Sequence, residues 1–155
     1  MNVRAASFAD REAIAGCLAS DATFRADEIA VALELVDGAM GGDPDYALVI
    51  AGDPDDRIVG YACFGPTPMT HATYDLYWIV VDAAARGRGV GRALIAAVED
   101  AIRARGGRHV RVETGTSAPY VAARALYARA EYPEIARLPD FYAPGDAMIV
   151  YYKVL

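Results

Sequence analysis

The clearest chemistry in the chain lies in Arg86, Gly87, Arg88, Gly89, Val90 and Gly91. Glycine permits φ > 0 and lets a ligand lie against bare backbone. The first amides of a helix lack intrahelical partners and stand at the positive end of its dipole. A glycine loop leading into a helix therefore collects N–H groups around phosphate. Arg86 and Arg88, with Arg92 just beyond, add charge that ordinary pH does not remove. An apolar run rich in β-formers, residues 76–81, ends at Asp82 before the loop, and the helical pattern ALIAAVEDAIRAR follows it. Strand, loop and helix start read together as a pyrophosphate cradle. The plainer reading is a glycine-rich turn carrying a surface arginine pair.

Of the phosphate loops built this way, the P-loop ends in Gly-Lys-Ser/Thr, which is absent, and the dinucleotide fingerprint needs a third glycine where Leu94 stands. The pattern that fits is Arg/Gln-x-x-Gly-x-Gly/Ala, with Arg86, Gly89 and Gly91 in the fixed places. It resembles the acetyl-CoA loop of the GCN5-related N-acetyltransferases, the GNAT family.

The elements that must position this loop can be read in order. Residues 2–6 suit a strand, and Ser7 or Asp10 caps a helix with Ile14, Cys17 and Leu18 inward. A second helix is expected over 26–40, striped by Ile29, Leu33 and Val36 and stopped by Gly41-Gly42-Asp43-Pro44. Residues 46–51 and 57–64 flank a turn rich in Gly, Asp and Pro, which predicts a hairpin, and 73–81 follow as the strand that feeds the loop. The third helix starts near Val90 with Leu94, Val98 and Ile102 buried and Glu99, Asp100 and Arg103 outward, and Gly106-Gly107 ends it. Residues 109–113 alternate around inward Val110 and Val112 as a strand parallel to 76–81, which a helical crossover requires. A fourth helix after Ser117 and Pro119, with Val121, Ala125 and Leu126 inward, and two strands about a turn at 143–146 complete the chain.

The fold class is therefore α/β, in the order β-α-α-β-β-β-α-β-α-β-β, with a mixed, mostly antiparallel sheet and a parallel pair at its centre. That order resembles GNAT enzymes across essentially the whole chain, so residues 1–155 are expected to form a single domain of that type. RALYARAEY is similar to the family's closing motif through Leu126 and Tyr127, but Glu131 and Tyr132 replace its glycine and phenylalanine, and Tyr120 stands where asparagine is frequent.

The resemblance implies acetyl-CoA as cofactor, held by Arg86, Gly87, Arg88, Gly89, Val90, Gly91 and Arg92. It also implies a bulge that splays the 76–81 strand from the 109–113 strand. The pantetheine arm would then pair with backbone near Ile79, Val80 and Val81. Asp75 stands where members place a carboxylate base, its alternative being a pair with an arginine on the sheet; Glu113 is the rival base. Tyr127 matches the tyrosine that protonates the departing thiolate, its alternative being a core tyrosine. Phe24 and Glu28 are candidates for acceptor contact, Glu28 being equally a first-turn helix acid.

A hydrophobic fraction of 55% with 23% charged residues describes a globular chain with no disordered tract. Net charge −6 argues against a nucleic-acid groove, which shows a basic face. No apolar run approaches a bilayer span, and residues 1–12 lack a signal-type core, so neither membrane nor export is expected and a cytoplasmic location follows. Cys17 and Cys63 lack metal or redox spacing and read as buried thiols. No metal set or nucleophile dyad stands out, so direct attack by an amine is preferred over an acetyl-enzyme. The expected function is N-acetyl transfer to a primary amine of a small molecule or peptide. The alternative is a non-catalytic acyl-CoA-binding sensor or regulatory module. Family habit adds a homodimer through the C-terminal strands.

Overall fold

A computed structural model describes all residues, 1–155. The elements are β1 (Asn2–Ala5), α1 (Arg11–Ala19), α2 (Ala26–Met40), β2 (Ala47–Gly52), β3 (Ile58–Pro66), β4 (Thr73–Val81), α3 (Val90–Ala104), β5 (His109–Gly115), α4 (Val121–Arg129), β6 (Glu134–Ala143) and β7 (Asp146–Val154). Their order is the expected one. The strands form one sheet, β1-β2-β3-β4-β5-β7-β6, antiparallel at every step except β4–β5.

Each face of the sheet has its own apolar layer. Ile14, Cys17 and Leu18 of α1, with Ala32 and Val36 of α2, bury against Leu48, Ile50, Tyr61 and Cys63. On the other face Leu94, Ile95, Val98 and Ile102 of α3 pack on Val49, Ala62, Phe64, Val110 and Val112. Fully burying one such leucine or isoleucine contributes about 1.5–3 kcal/mol, so the α3 stripe fixes where the helix starts. Gly106 at φ +78° ends that helix, and the Gly107 amide returns to the Ile102 carbonyl at 2.9 Å.

Burial corrects three sequence expectations. Glu99 is not outward but 7% exposed, because Lys153 of β7 donates to its Oε1 at 2.9 Å and Arg103 to its Oε2 at 3.4 Å. Val121 is not inward: it opens α4 at the surface, and Tyr127 is the residue of that helix that the core takes. On α2 the most buried positions are Ala32 and Val36, with Ile29 and Leu33 only half-buried around them. Glu131 adopts φ +61°, the conformation glycine takes freely, while the Tyr132 amide closes α4 on the Tyr127 carbonyl at 3.0 Å. Both cysteines are free and buried, and burial pushes the thiols up to about 11 at Cys17 and about 12 at Cys63.

The feature that matters most for a site lies at the centre of the sheet. β4 and β5 pair over only three positions, Thr73 with His109, Tyr74 with Val110 and Asp75 with Arg111, and then separate. Opposite, β3 registers Cys63 with Trp78 and Phe64 with Leu76, leaving Tyr77 as an extra residue in β4. A bulge of this kind bends its strand. It turns the second half of β4 away from β5.

Candidate active site

A cleft of about 550 Å³ opens where the two strands part. Its lining comes from β4 (Trp78, Ile79, Val81), the loop before α3, the end of β5 (Glu113, Thr114), α4, and the link between α1 and α2 (Asp21, Thr23, Phe24). Beyond Asp75 the β4 edge facing the cleft has no strand partner, so its outward N–H and C=O groups are available to a ligand.

At one end stands the glycine loop. Gly87 and Gly89 have φ +76° and +83°, and a Cβ added to either would meet nothing within 4 Å, so the space in front of the loop is open. Gly89 precedes α3, whose first internal bond runs from the Ala93 amide to the Gly89 carbonyl at 3.0 Å. The amides of Val90, Gly91 and Arg92 thus have no intrahelical acceptor. Gly91 answers a different need: a Cβ there would stand 2.9 Å from Leu126 Cδ2, so its absence lets α3 approach α4. Free amides, a dipole end and open space fit a diphosphate.

The arginines divide. Arg86 lines the cleft; its Nε donates to the Val81 carbonyl at 3.3 Å and its Nη2 to the buried carboxylate of Asp21. Asp21 also accepts the Thr23 amide at 2.9 Å, so one carboxylate ties the α1–α2 link to the loop. Arg92 and Arg129 line the same region, whereas Arg88 is exposed and outside the lining. Val80 turns its side chain into the core under α1 and α2, away from the cleft that Ile79 and Val81 border.

The two candidate bases also part. Asp75 is 6% exposed and absent from the lining: Arg111 Nε donates to its Oδ1 at 2.6 Å and the Thr67 hydroxyl to its Oδ2 at 2.8 Å. The structure therefore realises the arginine pair and leaves neither oxygen of Asp75 free. The parallel register places Arg111 directly opposite Asp75. Glu113, two residues further along the same face of β5, lines the cleft with its side chain 42% exposed and Arg111 Nη1 at 3.5 Å. Tyr127 borders the cleft and is otherwise enclosed, with ring neighbours Tyr151 at 5.4 Å and Tyr132 at 6.0 Å. Burial raises its pKa, so the phenol keeps its proton across the neutral range.

Sequence reasoning placed Phe24 and Glu28 near the acceptor. Phe24 sets its edge against Trp78 at 5.3 Å and lines the cleft. Glu28 caps α2 through the Arg25 amide at 2.8 Å, and its other oxygen accepts the Tyr120 hydroxyl at 3.0 Å. Burial, and then this bond, push Tyr120 up to about 12. Asp21, Trp78 and Tyr120 were missed as site residues. Only the aspartate that opens the polar link, three residues before Phe24, signalled the first of them.

The chain as a whole matches known proteins. The acetyltransferase (GNAT) family profile covers residues 16–132. A Desulfovibrio desulfuricans protein described as a GNAT-family acetyltransferase shares 38% identity over 99% of this chain and 98% of its own, with TM-score 0.91. At lower identity the fold alone is shared. An aminoglycoside 6'-N-acetyltransferase complexed with coenzyme A superposes at TM-score 0.79 and 16% identity, over 99% and 97% of the chains. The ribosomal-protein-alanine N-acetyltransferase from Brucella melitensis does so at 0.76 and 21%, over 100% of both. No protein of curated function matches in sequence. With the glycine loop, the split β4–β5 pair and this likeness together, the chain belongs to the GNAT family of acetyltransferases, which use acetyl-CoA.

Proposed function

We propose that the protein is an N-acetyltransferase acting by direct attack on a primary amine of a small molecule or peptide. The observation that carries this reading is the cleft between the parted strands, with the glycine loop at one end and Glu113 and Tyr127 along its lining. Acetyl-CoA supplies a thioester: when the amine nitrogen bonds to the acetyl carbon, the C–S bond breaks and the amide and free thiol leave.

The chain's residues divide the remaining work. The amides at the start of α3 and the Arg86 and Arg92 guanidiniums hold the diphosphate. A main-chain N–H near Ile79 or Val81, on the unpaired β4 edge, donates to the carbonyl oxygen as charge gathers there. Glu113 takes the ammonium proton, directly or through one water, because Asp75 is committed to Arg111 and Thr67. Tyr127 returns a proton to sulfur; being a neutral phenol at working pH, it is competent to do so.

The sensor reading draws on one observation, the closing motif altered at Glu131 and Tyr132. Thiol release from acetyl-CoA over an amine panel separates the two. An enzyme releases thiol only when an amine is present, and Glu113→Gln lowers that rate by about 10²-fold or more. Binding of acetyl-CoA with no amine-dependent release would establish the sensor.

A further inference from the structure

We propose that the acceptor is a slender amine bearing a single positive charge on an apolar or aromatic body, not a polycation such as an aminosugar. This deepens the reading above and rests on it. The charges lining the cleft are sorted by place. Arg86, Arg92 and Arg129 belong to the loop and the end of α4, and Asp21 is consumed by Arg86. That leaves Glu113 as the one lining carboxylate outside the arginine end. Its neighbour Arg111 is itself held by the buried Asp75. One carboxylate receives one ammonium. Further ammonium groups on the same molecule would meet no second free carboxylate in the lining.

The rest of the lining agrees. Phe24 and Trp78 stand edge to face at 5.3 Å, Tyr77 packs on Tyr46 at 5.6 Å, and Tyr120 lines the same cleft. Aromatic faces attract an ammonium and cover an apolar body, and they offer a sugar's hydroxyl groups few partners. The Tyr120 hydroxyl bonds to Glu28 across 92 positions of sequence, tying the start of α2 to the turn before α4 beside the cleft. Tyr120 is thus a specificity-determining residue, and the tie holds its ring in the lining.

The test compares kcat/KM for phenethylamine and hexylamine with kanamycin, spermine and an alanine-initiated peptide. Phenethylamine and hexylamine should exceed each of the others at least tenfold. Trp78→Leu should raise KM for phenethylamine about tenfold while the acetyl-CoA KM moves less than threefold. Tyr120→Phe, which breaks the tie and keeps the ring, should narrow the ratio of phenethylamine to kanamycin. A preference for kanamycin, spermine or the peptide would overturn the proposed substrate class and leave N-acetyl transfer standing. Coenzyme binding without turnover of any amine would overturn both.

Discussion

Replacing Gly89 tests the cradle with a magnitude that the structure supplies. Its φ of +83° costs an L-residue about 1–2 kcal/mol, partly offset by the entropy glycine loses on folding, so about 1 kcal/mol net remains. An added Cβ meets nothing within 4 Å, so no clash adds to that strain. Gly89→Ala and Gly89→Asp should each lower the melting temperature of the coenzyme-free protein by about 2–4 °C. Their effects on binding differ. A carboxylate about 6 Å from a phosphate charge, at effective dielectric constants of about 20–80, opposes binding by about 1–3 kcal/mol. Acetyl-CoA at about 100 times its wild-type dissociation constant stabilises the protein by about 2.7 kcal/mol, a rise of about 5–10 °C. A 2 kcal/mol loss in Gly89→Asp leaves about 0.9 kcal/mol of that, roughly a third of the shift. The assay is a melting curve with and without acetyl-CoA for the three proteins. If Gly89→Asp keeps the full shift, the diphosphate does not lie against this loop.

Other perturbations reach other residues. Tyr127→Phe should lower kcat about 10²-fold with acetyl-CoA affinity, measured by calorimetry, within about threefold; equal losses in both would make Tyr127 structural. Glu131→Gly removes the strain of φ +61° and should raise the melting temperature by about 2–4 °C, as about 1 kcal/mol of stability does for a chain of this size. A drop would show that the side chain makes a needed contact. Asp10 accepts Arg4 at 2.8 and 2.9 Å and the Ser7 amide at 2.7 Å; these bonds, Arg4 first, hold its carboxyl well below the usual range. Its contribution is full above the unfolded pKa near 3.9 and lost as pH falls through the lowered folded value. Asp10→Asn should therefore cost about 1–3 kcal/mol in urea unfolding at pH 7, with a clearly smaller gap at pH 2.5. An unchanged gap at low pH would refute the ionic origin.

Much of the fold was legible because local signals agreed. Strand β4 and helix α2 fall on their expected residues, since β-formers bounded by turns, and a stripe closed by two glycines, each admit one register. The loop was legible because its glycines carry a backbone demand that other residues meet badly. What failed were judgements about which way a polar side chain faces. Glu99 looks like any outward helix acid until β7 delivers Lys153 to it. Asp75 reads as a base or as an arginine's partner, and only the parallel register that sets Arg111 opposite decides for the pair. Both partners lie far off in sequence, so periodicity cannot find them. The same holds for Arg86 with Asp21 and Tyr120 with Glu28, contacts that exist only once the sheet has brought separate links together.

Acetyl transfer to an amine in the cleft between β4 and β5 would release coenzyme thiol and acetylated amine together. The most direct measurement incubates the protein with acetyl-CoA and phenethylamine and follows free thiol and N-acetylated amine together. Both should appear in equal amounts, and both should be suppressed in Glu113→Gln. Thiol release that is independent of the amine, or tight coenzyme binding with no acetylated product from any amine, would contradict it.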